Sequence, residues 1–176
     1  MTSGEERVVL LDDAGEPIGT ALKATVHTEE TPLHLAFSCH VTDADGRLLV
    51  TRRALGKRAW PGVWTNSFCG HPAPGEDMTE AVARRALDEL GITVVDLELV
   101  LPEFRYLAVD ASGIVENELC PVFTARTFDE VLPDPDEVMQ YEWVDAADVA
   151  ASVTRAPWAF SPWLTLQLPA LAAARP

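Results

Sequence analysis

Short apolar runs separated by turn residues dominate this chain, and helical spacing of apolar positions replaces them in three places. Residues 8–11 read as a first strand ended by Asp12, Asp13, Ala14 and Gly15, and a second strand is expected over 19–24. Runs at 34–42 and 47–52, joined by Asp43, Ala44, Asp45 and Gly46, predict a hairpin. Leu35, Phe37, Cys39 and Val41 share a face of its first strand, which makes Cys39 a small buried hydrophobe. Residues 64–68 read as a short strand, and Pro72 and Pro74 break 70–75 into an irregular loop. From Glu76 or Asp77 to Leu90 the period lengthens. Ala81, Val82, Ala86 and Leu90 form an apolar stripe, acidic residues open the helix where its dipole favours them, and Gly91 is a natural stop. Further strands are expected at 93–101, 104–109, 116–127 and 138–144. Asp145 caps an Ala-rich helix, and a last helix runs over 161–174 with Ser161 as cap and Pro162 at its first position. Strands around a central helix, followed by more strands and helices, predict an α+β fold with a mixed sheet between helices.

Composition narrows the class. A chain of 176 residues, 48% of them hydrophobic, buries one continuous core, so residues 1–176 are expected to form one domain. A net charge of −15 repels a phosphate backbone at long range, and no stretch resembles a basic arm, so nucleic acid is not an expected partner. The opening MTSGEERVVLLDDAGEP carries acidic residues where a leader needs basic ones, and no run approaches a membrane span. Cys39, Cys69 and Cys120 are odd in number and lack CxxC spacing, which disfavours both a disulfide framework and a thiolate zinc site and fits a reducing cytoplasm. The expected state is a monomer, with a homodimer as the alternative.

Candidate chemistry departs from the acidic average. Only 13 residues are Lys or Arg, yet Arg52, Arg53, Lys57 and Arg58 crowd into one loop. Two readings stand side by side: a solvated turn whose cations pair with carboxylates, or an anion site. His27, His34 and His71 each have other candidate ligands nearby. Glu116 and Glu118 are two apart in an extended run and so project from one face. Three imidazoles and two carboxylates suit a six-coordinate ion such as manganese, iron or zinc. Cys69, within WTNSFCGHP, lies beside this set. A thiol near cations can have a lowered pKa and act as acid or base, whereas a structural cysteine is inert. Five tryptophans are many for this length, and Trp158 and Trp163 in APWAFSPW are placed to lid a pocket or to pack.

The stretch 70–92 runs glycine, five residues, Glu76, seven residues, then RRALDELGI. It resembles the Nudix box, which in that family forms a loop, helix and loop on an α/β/α sandwich and binds a magnesium diphosphate. Arg85 stands where the box has its first glutamate and Asp88 where it has its second. A guanidinium cannot ligate a cation and instead forks onto phosphate oxygens. Arg85 and Glu89 share a helix face, either as a plain ion pair or as grip and metal ligand on a diphosphate.

TRRALGKRAWPGVWTNSFCGHP, RRALDELG, FRYLAVDASGIVENELCPVF and APWAFSPW, in that order, resemble the type I isopentenyl-diphosphate delta-isomerase family in its bacterial form. The resemblance implies a Nudix-like α/β/α catalytic domain with its box at about 70–92. It also implies interconversion of isopentenyl and dimethylallyl diphosphate, a small-molecule substrate. By resemblance Cys69 and Glu118 form the catalytic pair on opposite faces of the substrate, with Tyr106 relaying a proton. His27, His34, His71, Glu116 and Glu118 would hold a divalent metal, manganese first with zinc or iron as alternatives. Glu89 and the carbonyl of Cys69 would hold Mg2+ on the diphosphate. Lys23, Arg53, Lys57 and Arg85 would grip that diphosphate, and Trp163 would lie beside the hydrocarbon. The alternatives are a Nudix diphosphate hydrolase and a non-catalytic diphosphate-binding module.

Overall fold

In a computed structural model of the chain, residues 6–174 are described. The reading of the first seventeen residues as no leader therefore lies partly outside the described residues. Strands β1 (Arg7–Leu11) and β2 (Pro17–Leu22) form an antiparallel pair. Their ladder ends at Arg7 and Leu22, so the expected strand stops there and residues Lys23–Val26 coil into a one-turn helix, α1. That turn carries Lys23 and His27 towards the centre of the molecule.

Two of the expected long strands are each broken in two. Residues 34–42 become β3 (His34–Leu35) and β4 (Phe37–Thr42), and residues 116–127 become β10 (Val115–Leu119) and β11 (Val122–Arg126). The cause is visible at Pro121, which has no N–H to give a ladder. β10 runs parallel to β3 and β11 parallel to β4, and the Ala36 and Ser38 amides bond Leu119 and Pro121 across the break. Both strands therefore step together from one sheet into the other. The first sheet has the order β2-β1-β3-β10-β9, where β9 is Arg105–Val109. The second has the order β12-β5-β4-β11-β8, where β5 is Leu48–Arg53, β8 Val95–Leu101 and β12 Val138–Val144.

The second sheet is the middle layer of a sandwich, as the α+β reading expects. Helix α2 (Met78–Leu90) presses Ala81, Val82, Ala86 and Leu90 onto Phe37, Cys39, Val41, Leu49 and Phe123. Its start is capped by Asp77, which accepts from the Thr79 and Glu80 amides, and Gly91 ends it at a φ of 64°. On the opposite face α3 (Ala146–Arg155) and α4 (Pro162–Ala174) pack Val149, Val153 and Leu164 on Leu48 and Val50. Leu35, placed by pattern with Phe37, packs instead with Val9, Leu11 and Leu33, because the break at Ala36 moves it to the other sheet. No helix among the described residues is long and apolar enough to cross a membrane.

The strand expected over 64–68 is also two pieces, β6 (Trp64–Thr65) on β5 and β7 (Phe68–Gly70) on β4. β4 and β5 pair directly only at Thr42 and Leu48, then splay around this insert. Asn66 and Ser67, both fully buried, fill the opening. The Ser67 hydroxyl accepts from the Val41 amide and donates to the Leu49 carbonyl, each at 2.7 Å, and so replaces the missing ladder. The Asn66 amide donates to the Cys39 and Phe68 carbonyls.

Removing that hydroxyl orphans a buried donor and a buried acceptor. Ser67→Ala is expected to cost at least about 2 kcal/mol. Urea unfolding followed by circular dichroism reads the loss, and a midpoint equal to wild type would deny Ser67 this role.

Candidate active site

The seam between the two sheets opens into a cleft of about 410 Å³. Of the thirteen side chains singled out from sequence, twelve line it; the exception, His34, lies fully buried beneath. Register explains the grouping. Glu118 of β10 lies beside His34 of β3 and opposite Tyr106 of β9, while Glu116, two residues back, projects from the same face. β7 delivers Cys69, and the loop after it delivers His71.

His27, His34, His71 and Glu118 bring one ligand atom each to within 4.8 Å of one another. Glu118 Oε1 lies 3.1 Å from His71 Nε2 and 3.4 Å from His34 Nε2. Glu116 stands at the margin of this group, its Oε2 3.1 Å from His27 Nε2. The donor set fits a divalent ion on two further observations. The His27 and His34 Nε2 atoms and Glu116 Oε2 are buried without a hydrogen bond. His34 Nδ1 lies 2.9 Å from the Pro32 carbonyl, which can only accept, so the proton sits on Nδ1 and Nε2 faces the cluster.

Electrostatics divide these groups. Burial opposes ionisation of Glu118, but His34 and His71 overcome it and hold the carboxyl well below the usual range. Burial drives His71 down to about 4, so it is neutral and ready to ligate. Burial also disfavours charge on His34, yet the Glu118 carboxylate 3.4 Å from its Nε2 prevails and raises it. Burial, reinforced by the charge of Glu118, raises Glu116. The same two causes keep the Tyr106 phenol protonated, and it donates to Glu118 Oε2 at 2.9 Å.

For Cys69 the sequence leaves open a thiol lowered by nearby cations and an inert structural one. Burial pushes its thiol up to about 12, against the pull of Ser38 and Asn66, so nearby cations do not make it a thiolate. It packs against a small core of Ala36, Tyr106, Cys120 and Trp163. Trp163 is 2% exposed, edge-on to Trp60, with its indole N–H on Asn66 Oδ1 at 2.9 Å. Trp158 is 84% exposed and takes no part in the cleft, since the turn at Pro157–Ala159 projects it into solvent.

The crowded cations divide by strand alternation. Arg53 faces the cleft, stacked over Trp163 at 5.3 Å, while Arg52 points away to the Gly62 carbonyl. Arg58 donates to the Ala24 carbonyl, so Lys57, which pairs with Glu137, is the loop cation with a carboxylate partner among the described residues; elsewhere in the cleft Lys23 pairs with Glu6 at 2.7 Å and Arg85 with both Glu89 and Glu137. The paired reading of the loop therefore holds for Lys57, while Arg53, Lys57 and Arg58 line the cleft. Glu137 and Glu6 line it too and were not singled out from sequence. Glu137 is one of many acids in an acidic chain; only the pairing of β12 with β5 brings its neighbour Val138 opposite Arg53.

Known proteins bear on this site in two ways. The model of the NUDIX domain matches residues 32–164. The isopentenyl-diphosphate Delta-isomerase of Clavibacter sepedonicus is 67% identical over 97% of this chain and 90% of its own length. That of Leifsonia xyli subsp. xyli is 65% identical over 99% and 95%. Among solved structures, DR0079 from Deinococcus radiodurans superposes with a TM-score of 0.74 at 19% identity, covering 94% of this chain and 99% of its own. A MutT protein from Methanosarcina mazei Go1 gives 0.63 at 17%, covering 81% and 94%. At such identities these two likenesses speak to the fold alone. A NUDIX match across most of the chain, together with relatives that share two-thirds of its residues along nearly its whole length, places this chain in the isopentenyl-diphosphate Delta-isomerase family of NUDIX-domain proteins.

Proposed function

We propose that this protein interconverts isopentenyl diphosphate and dimethylallyl diphosphate, acting as one catalytic domain. One observation carries the reading: a thiol, Cys69, that burial favours protonated, and a carboxylate, Glu118, that its histidines favour ionised, share a cleft with five Lys and Arg side chains and a buried indole face. The pair together holds the single mobile proton that the reaction needs. Relatives named isopentenyl-diphosphate Delta-isomerase support the substrate. Arg85, where a hydrolase box has a glutamate, argues against diphosphate cleavage, and an intact proton-transfer pair argues against a mere binding module. A monomer is the expected state, with a homodimer as the alternative. The three free thiols suit the cytoplasm.

One of Cys69 and Glu118 adds its proton to the terminal alkene carbon, and the π pair forms the new C–H bond. A tertiary cation results. The other group removes a proton from the carbon two positions away, and that C–H pair becomes the new double bond. Because the reaction is reversible, the two exchange roles with direction. An unpaired cation in a dry site is costly, and the Trp163 face offsets roughly 2 kcal/mol of that when desolvated. Tyr106 holds the Glu118 carboxylate by its hydroxyl and is placed to relay the proton. Lys23, Arg53, Lys57 and Arg85 hold the diphosphate, and Lys23, Lys57 and Arg85 release their carboxylate partners as they do so. Magnesium at Glu89 and the Cys69 carbonyl would neutralise that diphosphate. A second divalent ion, manganese first and zinc or iron next, would be held by His27, His34, His71, Glu116 and Glu118 and would orient Glu118.

With magnesium under reducing conditions, the protein is expected to carry deuterium from heavy water into isopentenyl diphosphate and to form dimethylallyl diphosphate. Mass spectrometry that finds no label in either compound would remove the assignment. Cys69→Ala is expected to lower turnover on the order of 10²–10⁴-fold while the substrate still binds.

Metal affinity at the histidine cluster should depend on pH. The proton on raised His34 must leave before its nitrogen can ligate, whereas His71 competes only near pH 4. Affinity for Mn2+ is therefore expected to weaken as pH falls below neutrality, with proton uptake on metal release. Calorimetry in buffers of different ionisation enthalpy measures that proton, and a pH-independent affinity between 5 and 8, a window on the order of the histidine range, would contradict it.

A further inference from the structure

Behind the cleft, on its protein side, Cys69 meets groups that the chemistry above leaves unused. Ser38 of β4 stands opposite Cys69 in the β4–β7 pairing and is fully buried. Its Oγ lies 3.2 Å from Cys69 Sγ and 3.4 Å from Cys120 Sγ. Gln167 reaches it from α4. The Gln167 amide nitrogen donates to Ser38 Oγ at 2.9 Å, and its oxygen lies 2.8 Å from His40 Nε2.

Donor chemistry then fixes the direction of the whole chain. An amide oxygen only accepts, so His40 donates from Nε2; an amide nitrogen only donates, so Ser38 accepts from Gln167. The proton of Ser38 is left with two sulfurs within reach. The Cys69 thiol, in turn, donates to Asn66 Oδ1 at 3.3 Å, an oxygen that also receives Trp163 and Thr65.

We propose that Ser38 is the hydrogen-bond donor to the Cys69 sulfur while that sulfur's proton is away on the substrate, and that Gln167 is the positioning residue that keeps Ser38 donating. The inference rests on the reading of Cys69 as a proton-transfer group. When the S–H bond breaks, the proton goes to the alkene carbon and the electron pair stays on sulfur. Ser38 keeps its own proton and turns it from Cys120 to Cys69. Asn66 loses one donor and retains two. When Cys69 instead takes a proton from carbon, the steps run backwards from the same Ser38 contact. A hydrogen bond to a charged acceptor is stronger than to a neutral one, so this contact strengthens as charge develops on sulfur. Its effect falls on turnover rather than on substrate binding.

Ser38→Ala is expected to lower kcat for isopentenyl diphosphate by about ten- to a hundredfold. KM should stay within about twofold of wild type, as for an interaction made only during the proton transfer. Gln167→Glu keeps shape and leaves the Ser38 hydroxyl in place, but it offers that hydroxyl an acceptor and draws its proton from the sulfur. A comparable fall in kcat is expected there, which loss of packing would not produce. A kcat within about twofold of wild type in either folded variant overturns the proposal, as does a fall that appears mainly as a raised KM. Should Ser38→Ala fail to fold, Gln167→Glu decides. Cys69→Ala, run alongside, separates the two ideas. If it turns over normally, the reading of Cys69 fails; if it is inactive while the other two match wild type, only the role of Ser38 fails.

Discussion

The buried polar wedge of Asn66 and Ser67 is the constraint on which the site depends. Two neighbouring strands, β4 and β5, give up their shared ladder after one residue pair, and unpaired backbone in a protein interior is costly. The Ser67 hydroxyl and the Asn66 amide repair that deficit with side-chain bonds. Because β4 and β5 remain apart, β7 can enter between them and carry Cys69 to the seam. The same Asn66 oxygen receives the Cys69 thiol and the Trp163 indole, so the device that props the sheet open also aims two of the groups around the hydrocarbon.

A second constraint is the paired step of β3 to β4 and β10 to β11. Hydrogen bonds from Ala36 and Ser38 carry the parallel pairing across the step, so both strands change sheet at one level. Residues before the step, His34 and Glu118, belong to the candidate metal cluster. Residues after it, Ser38 and His40, belong to the interior under α4. Cys69 lies between these two environments, with the cleft on one side and a hydrogen-bonded interior on the other.

Charge in the cleft is balanced before any diphosphate arrives. Glu6, Glu89 and Glu137 occupy Lys23, Lys57 and Arg85, three of the four cations proposed to bind a diphosphate, and Glu89 is raised by burial even beside Arg85. Leaving one of these cations buried and unpartnered would cost more than the pair returns, so the carboxylates keep the empty grip intact. On the proposed function, a diphosphate with its magnesium would exchange one set of partners for another, and Lys57 is the loop cation whose carboxylate pair would take part in that exchange.

Local information sufficed for the central helix, whose stripe, Asp77 cap and Gly91 stop are all contained within 77–91, and for the Asp145 and Pro162 starts of the later helices. The family resemblance named thirteen side chains for the site, and the structure brings twelve of them to one cleft with His34 buried beneath. Pro121 lay in plain view as a strand breaker, yet the matching break at Ala36 has no local mark; it follows from pairing with a strand more than eighty residues away. For the Cys69 thiol the sequence left activation by nearby cations and an inert role side by side; burial, a property of everything that packs on it rather than of its neighbours in the chain, favours the protonated form. Glu137, Ser38 and Gln167 were indistinguishable from other acids and amides until strand pairing and the packing of α4 gave them partners. The sequence by itself determined which chemical groups this protein carries and most of its elements, since both are written in residue type and short-range period. Only the tertiary structure decided which groups meet, which are protonated and what holds them, because hydrogen bonds and burial are set between residues far apart in the chain.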